Sequence, residues 1–114
     1  MITHLNHTIA ARVLLPVLLG VLLPASCRPA YIAPPVSPEL VRDTHEPPAR
    51  LERGLYIYRE NCAKCHAFEN PADYGEDKLT HQIIPAMAKK AKLTTDDEQA
   101  VLVYLLAARK LSAK

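Results

Sequence analysis

The sequence lacks the features that a nucleic-acid-binding chain usually carries. No run of Lys and Arg is longer than two residues, and no aromatic residues alternate with cations. The formal net charge is only +2, so the sequence offers no strongly basic surface to a phosphate backbone. These absences argue against a nucleic-acid partner.

The sequence also lacks an apolar run long enough to span a membrane. The run that follows Arg12 covers residues 13–23, eleven in all, which is about half of what a spanning helix needs. A short basic leader, a short apolar core and then Pro24-Ala25-Ser26 are typical of a secretory signal peptide. We therefore expect residues 1–26 to direct export.

Cys27 directly follows two small residues, Ala25 and Ser26, with leucines upstream. This arrangement resembles the lipobox of bacterial lipoproteins, from which it departs at Pro24, where a Leu is usual. The resemblance implies that Cys27 is lipid-modified and anchors the chain in a membrane. The alternatives are cleavage nearby or an uncleaved anchor, with Cys27 incidental in both.

Glycine is scarce, with three residues against ten Pro. Six of the prolines fall between residues 28 and 48, and such a stretch favours extended polyproline-II geometry. We expect residues 27–48 to form a tether that holds a folded domain, residues 49–114, away from the membrane. A domain of roughly 65 residues buries little surface and usually needs a metal, a disulfide or a cofactor as a staple.

The residues that carry chemistry are Cys62, Cys65 and His66, in the pattern C-x-x-C-H of c-type haem attachment. Three residues apart on a helical turn, the two thiols lie on one face and can each add to a vinyl group of one porphyrin. An imidazole directly after the second cysteine then reaches the iron. The spacing predicts one covalently bound haem c.

Other uses of this pattern fit less well. A thioredoxin-like C-x-x-C follows a strand in a βαβ unit, and nothing strand-like precedes Cys62. A structural zinc site needs a second pair of ligands, which His45, His66 and His81 do not supply at the usual spacing. A disulfide between Cys62 and Cys65 would close a very tight loop.

The sequence around the motif resembles the class I c-type cytochromes. Leu51, Leu55 and Tyr58 recur at helical spacing before the haem motif, and Gly54 and Tyr58 stand eight and four residues before Cys62, where the family has a Gly and an aromatic residue. The resemblance implies an all-α fold around one haem, in which this helix crosses a C-terminal helix. It covers about 65 residues.

Two further helical regions are expected in the second half of the domain. One or two short helices should lie around residues 78–92. Thr95-Asp96-Asp97-Glu98 resembles a capping box opening a helix near residues 95–110, whose apolar face holds Val101, Leu102, Leu105 and Leu106. Tyr104 matches the family's aromatic near the end of that helix, and its close approach would explain a Gly at position 54.

The sixth ligand of the iron decides what the haem can do. Met87 is the one methionine besides Met1, and by resemblance it is that ligand. Leu79, Ile83, Met87 and Ala91 also repeat every four residues, however, which suits a buried helix face with Met87 as core filler. His81 is the rival ligand, and an open position is the third alternative.

The resemblance implies one-electron transfer between a donor and an acceptor redox protein on the periplasmic side of a bacterial membrane. The chain would then be an electron carrier and catalyse no bond-making reaction. If the sixth position is open or weakly held, a gas-binding or sensor protein is the alternative. A dedicated haem subunit of one oxidoreductase complex is also compatible with the sequence.

Overall fold

A computed structural model describes residues 29–114, and every regular element within that range is helical. The predictions for the leader and for Cys27 lie outside the described residues. The elements are α1 (Pro38–Arg42), α2 (Pro48–Asn61), a 3₁₀ turn (Cys62–Lys64), a second 3₁₀ turn (Pro71–Asp73), α3 (Glu76–Lys78), a π turn (Leu79–Ile83), α4 (Ile84–Ala91) and α5 (Thr95–Ser112). The all-α expectation is confirmed for these residues.

The crossing of α2 and α5 forms the centre of the fold. A Cβ atom added at Gly54 would overlap the carbonyl oxygen of Ala100 and lie 2.6 Å from Cβ of Tyr104. The rings of Tyr58 and Tyr104 lie 6.2 Å apart across the crossing, and Leu51 and Tyr104 are fully buried. The predicted close approach of Gly54 and Tyr104 is confirmed, because a helix with any side chain at position 54 could not come this near.

The start of α5 lies close to its predicted place, with a different capping residue. The hydroxyl of Thr94, not Thr95, accepts a hydrogen bond from the Asp97 backbone N–H at 3.2 Å. The acidic side chains in the first turn then interact favourably with the positive end of the helix dipole. Arg53 on α2 forms an ion pair with Asp97 at 2.9 Å, which adds a polar contact at the edge of the helix crossing.

The chain between Glu76 and Ala91 is helical throughout but contains one wide turn. The backbone N–H of Ile84 donates to the carbonyl of Leu79, five residues back, directly before Pro85. Proline has no N–H and its ring crowds the carbonyl four residues earlier, so a π turn is one way to carry the helix past it. Lys92 then ends α4 in the left-handed region, at φ 55°, and Leu93 donates to the Ala88 carbonyl at 3.0 Å.

Residues 31–43 lie within the expected tether of residues 27–48, but they pack on the folded domain. Ala33 and Leu40 are buried in the main core. The Tyr104 hydroxyl donates to the Pro34 carbonyl at 2.7 Å, and Ser37 caps α1 by accepting from the Leu40 N–H at 3.2 Å. The sequence predicts that these prolines act as spacers, yet Pro38 occupies the first turn of a helix, where proline fits well. The folded unit therefore extends back to about residue 31.

Gly54→Ala should destabilise the chain, because the new methyl group meets backbone atoms that cannot rotate away. We expect the free energy of unfolding to fall by about 3 kcal/mol. Urea unfolding of the full chain, followed by circular dichroism, measures the loss. Gly75→Ala is the matched control, since a Cβ there has nothing within 4 Å, and its effect should stay within about 1 kcal/mol. Equal stability of the two variants would contradict the crossing.

Candidate functional site

The end of α2 positions the first cysteine of the motif. The helix continues into the 3₁₀ turn at Cys62, whose N–H donates to the Tyr58 carbonyl, and Cys65 donates to the Cys62 carbonyl at 3.4 Å. Cys62 is half-buried and Cys65 is exposed. Burial, and to a lesser degree the neighbouring Cys65, raises the pKa of the Cys62 thiol, which favours its neutral form.

His66 presents one ring nitrogen to the protein and leaves the other available. Its Nδ1 lies 2.7 Å from the carbonyl oxygen of Ala67. A carbonyl oxygen can only accept, so this contact requires Nδ1–H to donate and leaves the lone pair of Nε2 free in the neutral ring. A backbone carbonyl that orients a metal-binding imidazole in this way is common. Neutral His66 is therefore in the tautomer that could bind iron through Nε2.

Cys62, His66 and Met87 all border one cavity of about 410 Å³. The volume lies in the usual range for cofactor and ligand pockets. Its wall is mostly apolar and is formed by Tyr58, Cys62, His66, Glu69, Pro71, Tyr74, Lys78, Leu79, Ile83, Ile84, Met87, Ala88, Leu93, Val101 and Leu105. Two residues of the motif thus share one apolar cavity with the methionine that lies more than twenty positions later in the chain.

Met87 belongs to the cavity wall rather than to the close-packed core. It is half-buried and is not part of the main core, whereas Leu79 and Ala88, which also line the cavity, are buried. Met87 therefore borders the same cavity as His66. Of the four-residue repeat in the sequence, Leu79, Ile83 and Met87 line the cavity, and Ala91 does not.

His81 lies outside the cavity wall. Its side chain is 69% exposed, and Nδ1 lies 3.0 Å from Oδ1 of Asp77, one turn earlier. His81, the alternative ligand predicted from the sequence, thus contacts Asp77 at the surface and not the cavity. In the described conformation the motif residues and His81 are not brought together.

The donor set fits the implied haem. A thiol, an imidazole with a free Nε2 and a thioether border a cavity whose other walls are mainly aliphatic and aromatic, the environment that suits a porphyrin. Cys65 is the exception, since it is exposed and lies beside the wall rather than in it.

Sequence reasoning missed the loop that closes the cavity between the motif and α3. Tyr58 donates to the Glu69 carbonyl at 3.1 Å, and its ring lies 4.8 Å from that of Phe68. The Tyr74 hydroxyl donates to the Glu69 carboxylate, and this bond raises the pKa of Tyr74. No spacing rule pairs Glu69 with Tyr74, because both lie in an irregular loop.

Comparisons with known proteins identify no relative. No family model matches the chain, and no curated protein or solved structure matches it either. Within residues 29–114 no helix is long and apolar enough to cross a membrane. In the same range no three His, Cys, Asp or Glu side chains are grouped so that they could hold a metal ion.

Proposed function

We propose that the chain is an exported electron carrier with one covalently bound haem, as in the class I c-type cytochromes. The observation that carries the proposal is the shared cavity, in which the motif residues Cys62 and His66 face the same apolar space as Met87. The motif alone predicts a haem. A common cavity with a thioether adds a reason to expect an iron with two protein ligands.

Each residue has a specific part in this proposal. Cys62 and Cys65 would bond to the porphyrin through thioethers, and His66 would bind the iron through Nε2. Met87 would supply a second ligand to the iron, and a thioether ligand favours the reduced form and raises the reduction potential. When bound, the haem supplies a site that accepts and releases one electron.

The surroundings of the cavity favour transfer of electrons over binding of a substrate. Leu79, Ile84, Val101 and Leu105 form much of the wall, and an apolar wall limits the rearrangement of water when charge moves. Exposed Cys65 marks the side at which a redox partner could approach. We therefore propose a carrier between a donor and an acceptor protein, with no bond-making chemistry of its own.

The proposed place of action is the periplasmic side of a bacterial membrane. The leader of residues 1–26 and the lipobox-like Cys27 support export and lipid anchoring. Cys27 lies four positions before Tyr31, the first residue that packs on the core, so the anchor would hold the carrier at the membrane surface.

Covalent attachment of haem is tested by extraction under denaturing conditions. We expect the haem to stay on the polypeptide after acid–organic extraction. Replacing Cys62 and Cys65 together by Ala should leave a haem-free, poorly folded chain. The reason is that the cofactor would fill the cavity that α2, α4 and α5 enclose. Haem staining and circular dichroism measure the two effects. A haem-free wild-type chain of full stability would contradict the proposal.

The role of Met87 is tested by absorption spectroscopy of the ferric and ferrous protein. A thioether bound to ferric iron gives a weak long-wavelength charge-transfer band, and a six-coordinate ferrous haem binds carbon monoxide slowly. We expect Met87→Ala to abolish the band, lower the potential and admit carbon monoxide.

His81→Ala is the matched control for Met87→Ala, because His81 is exposed and lies outside the cavity wall. It should change neither the band nor carbon monoxide binding. A wild type without the band that binds carbon monoxide readily would instead favour a gas-binding protein. A wild type without the band that resists carbon monoxide would move the ligand assignment away from Met87.

The anchor is tested by Cys27→Ser. If Cys27 carries lipid, the variant should be released from the membrane fraction or fail to mature, whereas the wild type should partition into detergent. Fractionation and the mass of the mature N-terminus measure this. A variant that stays membrane-bound with its leader intact would show an uncleaved anchor in place of a lipid.

A further inference from the structure

Two large apolar side chains stand out on the surface of the described domain. Ile32 is 82% exposed and Tyr56 is 57% exposed. Neither lines the cavity, so the proposed haem does not account for them. Single exposed apolar residues are ordinary on protein surfaces, and a function for these two requires that they belong to one surface.

Arg59 connects the two residues. Its Nη2 donates to the carbonyl of Ala33 at 3.2 Å, which holds the exposed side of α2 against the segment that contains Ile32. Tyr56 lies three positions before Arg59, on the same side of the helix. Tyr31 and Ala33 pack on the core while Ile32 points outward, as expected for extended chain. We call Ile32, Tyr56 and Arg59 the Ile32 surface.

The length of chain before this surface limits where it can lie. Cys27 stands four residues before Tyr31, and four fully extended residues span at most about 14 Å. Residues 31–43 are packed on the domain and cannot serve as a longer spacer. A domain held by so short a linker meets the membrane at an effective concentration in the millimolar range or above, so even a weak contact would be populated.

We propose that the Ile32 surface rests on the lipid bilayer beside the anchor, an inference that depends on the proposed export and anchoring of the chain. Tyrosine is enriched at the level of lipid headgroups, and an isoleucine next to it can enter the apolar boundary. Arginine can keep its charge in the headgroup zone while its stem lies along apolar surface.

The charges around the surface indicate a contact that does not depend on anionic lipid. Arg53 and Arg59 flank Tyr56 on the exposed side of α2, and Glu52 and Glu60 lie on that side as well. Arg53 also stands 5.6 Å from the centre of the Tyr56 ring and pairs with Asp97. The positive and negative side chains balance, so the binding comes from the apolar groups.

This contact fixes the direction in which the cavity faces. Successive residues of an α-helix are about 100° apart, so Tyr56 and Tyr58 point to nearly opposite sides of α2. Tyr58 lines the cavity. With Tyr56 on the bilayer, the cavity lies on the far side of α2, and a partner reaches it from the aqueous phase.

Photo-crosslinking in the full, membrane-bound chain tests the inference. Benzoylphenylalanine is placed singly at position 32 or 56 and, as controls, at position 81 or 90, which are exposed on the helices beyond the cavity. After irradiation, lipid adducts are measured by mass spectrometry. We expect adducts at 32 and 56, few or none at 81 and 90, and the same pattern in vesicles of neutral and of partly anionic lipid.

A second variant keeps the test independent of the probe's own apolar ring. With the probe at position 52, one turn before Tyr56, the double change Ile32→Ser and Tyr56→Ser should lower lipid adducts severalfold. Both residues are exposed, so the unfolding free energy should hardly change. Equal adducts at all positions, or adducts to protein at 32 and 56, would overturn the inference.

Haem staining and fractionation of the same samples separate this inference from the proposed function. A membrane-bound, haem-loaded chain without adducts at 32 and 56 overturns the surface contact alone. A chain without haem that still forms these adducts contradicts the electron carrier and supports the contact. A chain recovered away from the membrane overturns the anchor and the contact together.

Discussion

The contact between Gly54 and the backbone of α5 is the constraint on which the site depends. Because no side chain separates the two helices at that point, α2 lies against Ala100 and Tyr104, and its last turn is directed over the middle of α5. Tyr58 and Cys62 then face Val101 and Leu105 across the cavity. A larger distance between α2 and α5 would move the motif away from Val101 and Leu105, the part of the cavity wall that α5 provides.

The opposite wall is built from an irregular helix, and its irregularities have local causes. The π turn at Leu79–Ile83 carries the backbone past Pro85, and the left-handed Lys92 ends α4 so that Leu93 turns back toward the cavity. Between these two points Met87 faces the space that His66 borders. In a regular α-helix, the side chains that follow this point would lie at a different angle around the helix axis. The π turn therefore helps to determine which face of α4 is directed toward the cavity.

The sequence predicted those parts of the molecule that follow from short-range rules. The motif at Cys62–His66 has a fixed chemical spacing, and Gly54 in a helix required a close neighbour, so both could be found without a structure. The packing of Ala33 and Leu40 could not be predicted, because it depends on a shared core that forms only when α2 and α5 have come together. The pairing of Glu69 with Tyr74 was equally inaccessible, since irregular loops have no period.

Residues 31–43 make contacts with residues that lie about 70 positions later in the chain. The hydroxyl of Tyr104 reaches Pro34 across 70 positions, and Lys114 pairs with Glu39 and Asp43. A ribosome produces α5 after every other described element, so α2 and residues 31–43 lack this packing partner until α5 has been made. The order of synthesis therefore places the docking of residues 31–43 among the last steps in which the described domain can assemble.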